Sequence, residues 1–307
     1  MRAVALNWRQ RIGLETLWLL ARGVAVLPYW VKFYLLQNLL FVLLYYCLRY
    51  RRNVVMTNLR NSFPEKSEAE LKRIGRKFYL TLAELFVDTL DMAHMPPAKA
   101  KRVLQVDGLE AHAAAVQGRD WIALMAHFGC WEFGSYWGYY EPSQMLVAVY
   151  HPLRNKVAEC FYQRLRNNPN SMTVAMRDCL RFYLQHRGTG VDGKRIVMGL
   201  IADQNAPLRP DSHWFDFLHQ DTIFFDGGEQ LARRFRMPVY FVRMDRVKRG
   251  RYRISFELIY DGVEEVEPNE ITGRYVRKLE EMIGARPELW LWSHRRWKVK
   301  RPQTDAN

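Results

Sequence analysis

Cysteine is scarce in this 307-residue chain, which carries only Cys47, Cys130, Cys160 and Cys179. They form no C-x-x-C pair and no metal-ligand spacing, so no disulfide framework and no zinc module are expected. The chain reads as a reduced, cytosol-facing protein whose cysteines act as small buried apolar residues. Periodic glycine and short internal repeats are absent, which excludes collagen and solenoid architectures. A Gly-rich phosphate loop and a helix-turn-helix are missing too, which weighs against nucleic-acid binding. No apolar run reaches the roughly 20 residues of a clean membrane span. No small-residue cleavage site follows the apolar stretch, so a cleavable signal peptide is not expected. Acidic residues are outnumbered, 32 Asp+Glu against 46 Lys+Arg, for a net charge of +14. That excess calls for an anionic partner or surface, either nucleic acid, an acidic protein or anionic lipid. What remains, 49% hydrophobic and 25% charged residues, is ordinary globular usage and excludes a disordered chain.

The amino-terminal fifth points to lipid. Leu14 to Leu27 is mostly apolar, Pro28 breaks the pattern, and Phe33 to Leu48 is denser, with only Gln37 and Asn38 polar. Tyr45, Tyr46 and Tyr50 supply interfacial aromatics, and Arg49, Arg51 and Arg52 follow, a border that keeps the rest of the chain cytoplasmic. Residues 1–52 are therefore expected to anchor the protein to a membrane, spanning it or lying in its interface. Residues 53–307 would form the catalytic domain.

The rest alternates between two periods. Ser67 to Glu70 is a capping box opening a helix with an apolar stripe from Leu71 to Leu90, ending near Met95. Short apolar runs follow at Trp121 to Ala126, Gln144 to Tyr150, Ser171 to Ala175 and Ile196 to Ala202. Helical patterns lie between them at Trp131 to Tyr140, Asn155 to Asn167 and Arg177 to Arg187. This rhythm predicts an α/β fold, a mostly parallel central sheet flanked by helices, with the hydrophobic helical anchor in front. Helices are expected at Gly228 to Arg236 and Pro268 to Ile283, and a β-hairpin from Val239–Val247 and Tyr252–Tyr260. Asp211 to Asp221 reads as a polar loop over the site.

The chemistry concentrates where the first strong strand ends, at Ala126-His127-Phe128-Gly129-Cys130-Trp131-Glu132. His127 stands at the edge where open α/β sheets place their sites. On a continuous helix Glu132 would lie about 140° away; with His127 on a loop and Glu132 in the first helical turn, the two can meet. A carboxylate on one ring nitrogen fixes the tautomer, and the other nitrogen is free to take a proton from a substrate hydroxyl. Zinc is not expected, because the spacing is not H-E-x-x-H. His94, His112, His186, His213 and His219 read as surface or structural.

The H-x4-E pattern after an apolar strand resembles the H-x4-D/E motif of the glycerolipid acyltransferase superfamily. Ala126 to Glu132 resembles its lipid A late-acyltransferase branch, the lauroyl/myristoyl acyltransferases. Tyr150-His151-Pro152-Leu153-Arg154-Asn155 resembles that branch's Y-R-P-x-x-N block, with His151 replacing the usual Arg. Arg166 falls where a basic residue follows this block, and Asp203-Gln204 resembles its D-Q/D-H block. Leu291-Trp292-Ser293-His294-Arg295-Arg296-Trp297-Lys298 is close to its W-x-H-R-R-W/F-K signature. The usual Thr-rich, Gly-containing segment is partly kept, as Thr222 to Gly228.

This resemblance implies transfer of a fatty acyl group from a thioester to a lipid hydroxyl, with His127 as general base and Glu132 orienting it. Asp203 either supports the base or pairs an arginine, or it caps a loop. Arg154 and Arg166 either hold a phosphate or the oxyanion, or line a solvated helix face. Asn155 and Gln204 join the substrate-binding set. Arg295, Arg296 and Lys298 either contact anionic headgroups, with Trp292 and Trp297 at the interface, or pack their stems on the domain. Acyl carrier protein is the implied donor, with acyl-CoA as the alternative. An anionic glycolipid is the acceptor, and no metal or cofactor is required. The implied location is the bacterial inner membrane, with catalysis on its cytoplasmic face. A lysophospholipid or aminolipid acceptor, or a non-catalytic basic protein, are the competing readings.

Overall fold

Asn7 opens the first helix by exchanging hydrogen bonds with Gln10, side chain to backbone in both directions. This helix, α1 (Trp8–Val26), stops before Pro28, whose missing N–H cannot continue it. The chain then bends by 112° into α2 (Val31–Cys47), π-helical at both ends. The computed structural model describes residues 5–302, so the first four residues of the expected anchor and the last five of the catalytic segment lie outside the described residues. No single helix among the described residues is long and apolar enough to cross a membrane, and α1 and α2 reach that length and composition only as a bent pair. Ala21, Phe33 and Phe41 face inward, while Trp8, Leu19, Trp30, Tyr34, Leu39 and Tyr46 are exposed.

After α3 (Arg52–Ser62), the capping box of Ser67 and Glu70 opens α4 (Glu68–Asp91). Helix α4 carries Glu84, Asp88 and Asp91 on one buried side, at the spacing that shares a helical face. Asp91 pairs with Lys32 of α2 at 2.5 Å and with Lys99 at 2.9 Å, and Glu84 pairs with Arg246 at 3.0 Å. Buried charges need such partners, and here the pairs fasten α2, the helix α5 (Pro97–Val103) and a hairpin tip to α4.

Seven strands form the main sheet: β1 (Leu104–Val106), β2 (Trp121–Met125), β3 (Gln144–Tyr150), β4 (Ser171–Ala175), β5 (Arg195–Ile201), β8 (Val239–Lys248) and β9 (Arg251–Tyr260). Their order is β1-β9-β8-β2-β5-β3-β4. Neighbours are parallel except for the β8/β9 hairpin, and the short helices α6 (Leu109–Ala115) and α8 (Cys179–His186) lie in the connections that lead to β2 and β5. Strand β2 is buried along its whole length, as a strand covered on both faces must be. Ile122 and Leu124 pack with Leu231 of α9 (Gly227–Phe235) and Leu279 of α10 (Glu270–Ala285). Trp121, Ala123 and Met125 pack on the other face with Phe133, and with Phe161 and Leu165 of α7 (Lys156–Arg166).

Two expectations change. The polar segment before Thr222 is not a loop: Trp214–Phe217 (β6) and Gln220–Ile223 (β7) pair as an antiparallel hairpin. Its charged residues face outward while Phe217 is fully buried, an alternation too short to stand out in sequence. The cysteines are all free, but only Cys130 and Cys179 are buried; Cys160 is half-buried and Cys47, at the end of α2, is exposed.

Candidate active site

Strands β2 and β5 run parallel in a register that pairs Met125 with Ile201. Two residues beyond each pair member stand His127 and Asp203, so the histidine and the carboxylate leave the sheet side by side. Asp203 accepts from the His127 backbone N–H at 2.9 Å and lies 2.6 Å from ring Nδ1. Trp290 Nε1–H donates to the same carboxylate at 2.7 Å. Asp203 is 2% exposed and the His127 side chain 18%, so the carboxylate is sealed while the ring reaches the surface. Burial works to raise the Asp203 carboxyl, but the adjacent imidazole and these hydrogen bonds outweigh it and hold the group below its ordinary value of 3.8. An ionised Asp203 requires a proton on Nδ1 and leaves the Nε2 lone pair as acceptor. Gln204 Nε2 stands 3.0 Å from that nitrogen. The Trp131 ring lies edge-on to the imidazole, centroids 4.8 Å apart.

The loop that holds His127 is clamped by the carboxy-terminal signature. Gly129 N–H donates to the Leu289 carbonyl at 3.0 Å and Leu291 N–H to the His127 carbonyl at 3.2 Å. Phe128 and Trp290 form an isolated bridge. Gly129 has φ +59°, and a Cβ there would come within 3.1 Å of the Tyr252 ring, so glycine meets both the backbone and the space requirement. Asn58 of α3 donates to the Trp292 and His294 carbonyls, each at 2.9 Å. Burial lowers the His294 imidazole to about 4, so it stays neutral beside the pair.

Glu132, expected beside His127, is hydrogen-bonded to Arg166 instead. It begins the 3-10 segment Trp131–Tyr139 and turns inward to meet Arg166 at the end of α7. The contact is bidentate, with Nε to Oε2 at 2.7 Å and Nη2 to Oε1 at 2.6 Å. A carboxylate only 7% exposed needs a full opposite charge, and the guanidinium fork supplies it with matched geometry. Burial disfavours charge on Arg166, but Glu132 more than offsets it and raises the group. Arg166 is thereby engaged and is not free for a phosphate.

The other expected binding residues scatter. Arg154 is exposed. Asn155 caps α7, accepting from the Val157 and Ala158 N–H groups at 2.9 and 3.0 Å. Arg295 is exposed, and its carbonyl accepts from Asn205 at 2.8 Å. Arg296 is buried, with Nη2 donating to the Ile223 carbonyl at 2.7 Å and its guanidinium 4.5 Å over Phe224. Burial lowers it to about 10. Trp292 is fully buried, so this tail packs inward rather than facing a membrane at that residue. Trp290 is the site residue that sequence reasoning missed. Its signal was the Leu-Trp-Leu-Trp alternation just ahead of the His-Arg-Arg block. Among the described residues no group of three or more His, Cys, Asp or Glu side chains converges as a metal site.

An apolar recess of about 260 Å3 lies below the ends of β2 and β5, with Leu124, Leu200, Ala202, Gly228 and Leu231 among its walls. Leu124 precedes His127 by three residues and Ala202 adjoins Asp203.

Parallel sheet, strand-end histidine and buried carboxylate together define an α/β protein with an imidazole–carboxylate pair at its sheet edge. Residues 8–299 match the model of the bacterial lipid A biosynthesis acyltransferase family, and the chain belongs to that family; it is an acyltransferase. It is 22% identical over 259 residues to the lipid A biosynthesis myristoyltransferase of Escherichia coli K12, covering 82% of this chain and 76% of that protein. Among solved structures it is similar to the 1-acyl-sn-glycerophosphate (LPA) acyltransferase PlsC of Thermotoga maritima. That match is at 14% identity over 90% of this chain and 98% of that one, with a TM-score of 0.36.

Proposed function

We propose that the protein moves a fatty acyl group from a thioester donor to a hydroxyl of a lipid A-type glycolipid precursor, with His127 as general base held by Asp203. The observation that carries this reading is the His127–Asp203 contact of 2.6 Å at the sheet edge. The acceptor hydroxyl gives its proton to Nε2 as its oxygen attacks the thioester carbon. The new C–O bond leaves an oxyanion; its collapse breaks the C–S bond, and the departing sulfur takes the proton back from Nε2. General-base assistance of this kind is worth about 10²–10⁴-fold. The substrate supplies the nucleophile, so no side chain of the protein is acylated. The donor's chain fits the apolar recess, whose inner wall leads to the reacting pair.

Acyl carrier protein is the favoured donor. The net charge of +14 suits an acidic carrier, and Arg154, Lys156, Arg177 and Arg181 are exposed beyond the ends of β3 and β4. The exposed aromatic and aliphatic side of α1 and α2 suits burial in the bilayer interface. The enzyme would then work on the cytoplasmic face of the inner membrane, where both donor and lipid precursor are met.

The test is turnover by the full-length protein in detergent with acyl carrier protein and acyl-CoA donors of matched chain length. Acceptors would be an under-acylated lipid A precursor and a lysophospholipid. Mass spectrometry should show one added acyl chain on the glycolipid, faster from the carrier protein, and none with His127→Ala. Acylation of the lysophospholipid alone would overturn the acceptor assignment, and equal rates from both donors the donor assignment.

A further inference from the structure

The carbonyl oxygen that gains charge in this reaction requires a hydrogen-bond donor, and the backbone after the base does not offer the usual one. The N–H groups of three successive residues are already engaged. His127 donates to Asp203 at 2.9 Å, Phe128 to the Ala126 carbonyl at 2.8 Å and Gly129 to the Leu289 carbonyl at 3.0 Å. These bonds fix the catalytic loop and turn its donors away from any substrate. The side-chain donor at the base is Gln204. With Asp203 ionised and Nδ1 protonated, the contact at Nε2 has one sense: the Gln204 amide donates and the imidazole accepts, at 3.0 Å. In the unliganded protein this amide therefore occupies the place where the acceptor hydroxyl must sit.

We propose that Gln204 is a catalytic residue: the acceptor hydroxyl displaces its amide from His127 Nε2, and the freed N–H donates to the thioester carbonyl oxygen as it becomes an oxyanion. The distances permit this without backbone motion. A hydroxyl accepted at Nε2 lies about 2.8 Å from it, and the attacked carbonyl adjoins that hydroxyl. The oxygen to be stabilised thus falls within reach of an amide that began 3.0 Å from the same nitrogen. The base of the side chain is fixed on both sides. Asp203 is buried under its hydrogen bonds, and Asn205 donates to the Arg295 carbonyl at 2.8 Å. Only the Gln204 side-chain torsions need change. In the resting protein the same amide keeps the imidazole in the tautomer that the reaction uses.

This inference rests on His127 being the base of an acyl transfer, and the experiment separates the two. Steady-state kinetics would be measured on the full-length protein in detergent, with one thioester donor and one glycolipid acceptor, for the unaltered protein, His127→Ala, Gln204→Ala, Gln204→Glu and Gln204→His. Loss of a single oxyanion donor lowers kcat by about 10²–10³-fold. Gln204→Ala should show that loss with both KM values little changed and an unaltered melting temperature. Gln204→Glu, the same shape without the N–H, should fall as far. Gln204→His restores an N–H and should recover part of the rate, which a purely structural role would not produce. A kcat for Gln204→Ala equal to that of the unaltered protein would overturn the inference. A higher kcat would overturn it too, and would make the amide a cap that competes with the acceptor. A rise confined to KM would assign Gln204 to binding instead. Inactivity of the unaltered protein would sink both readings, whereas activity with an unimpaired alanine variant would sink this one alone.

Discussion

Replacing Asp203 by Asn changes one oxygen for one NH2 and should disable the base without unfolding the protein. Oδ2 receives two donors, the His127 backbone N–H and Trp290 Nε1–H, while Oδ1 faces His127 Nδ1. If the asparagine oxygen takes the Oδ1 place, its NH2 confronts two buried N–H groups and leaves both unpaired, at about 1–3 kcal/mol each. If the oxygen stays at Oδ2, both donors are satisfied and the NH2 faces Nδ1. The second arrangement is cheaper, and it forces Nδ1 to accept. The ring proton then moves to Nε2, and the lone pair that should take the substrate proton is gone. A wrong tautomer in a comparable His–Asp pair costs about 10⁴-fold in kcat, and a loss of that order is expected here with a nearly unchanged melting temperature. Glu132→Gln makes the contrast. It leaves the buried Arg166 facing a neutral amide, and breaking a buried pair costs up to about 3–5 kcal/mol; the retained amide bond places the cost toward the lower end. Its effect should appear in the melting temperature, while the kcat of the folded fraction persists. The assay is kcat against pH beside thermal melting for both variants. If Glu132→Gln abolished transfer at an unchanged melting temperature while Asp203→Asn turned over normally, the assignment of Asp203 as the orienting carboxylate would be refuted.

Two further outcomes follow from buried groups near the site and the core. His112 stacks on Phe256 with ring centroids 3.9 Å apart, neither of its nitrogens has a hydrogen-bond partner among the described residues, and burial lowers it from 6.5 to about 4. The unfolded chain therefore binds a proton first as pH falls, and stability present above about 6.5 is lost progressively toward 4. His112→Phe should flatten that loss and stabilise the protein at neutral pH by about 1–3 kcal/mol, the cost of an unsatisfied buried polar group, read from denaturation midpoints at both ends of the window. Gly129→Ala should cost about 1–2 kcal/mol for a left-handed residue with a Cβ, and more if the Tyr252 ring at 3.1 Å cannot yield. Because Gly129 anchors the His127 loop, kcat should fall with the melting temperature, and an unchanged kcat would contradict the clamp.

The sequence alone was enough for the parts of this protein whose physics is local. Run length and turn signals marked strands β3 and β4 to the residue, and the apolar run of β2 to within one, since a parallel strand covered on both faces must be apolar along its length. The Ser67–Glu70 box set the start of α4, because an N-cap is a contact between neighbours in the chain. His127 stood out by its position at a strand end, and the ordered blocks from Ala126 to Lys298 carried the family. What the chain could not disclose is which carboxylate His127 meets. Glu132 is near in sequence, but 3-10 winding turns it into the core, where only an arginine fork can compensate its burial. Asp203 is 76 residues away and arrives because β5 lies beside β2 with Met125 opposite Ile201. Such pairing is a property of the assembled sheet and leaves no spacing in the chain. The same holds for Trp290 and Arg296: a tail rich in bases and indoles reads as a surface, and only its folding-back packs Arg296 on Ile223 and Phe224 and, across the His127 loop, places the Trp290 N–H on Asp203. Local periodicity determined the elements and the candidate base; the strand register and the folding-back of the tail decided which carboxylate its imidazole meets.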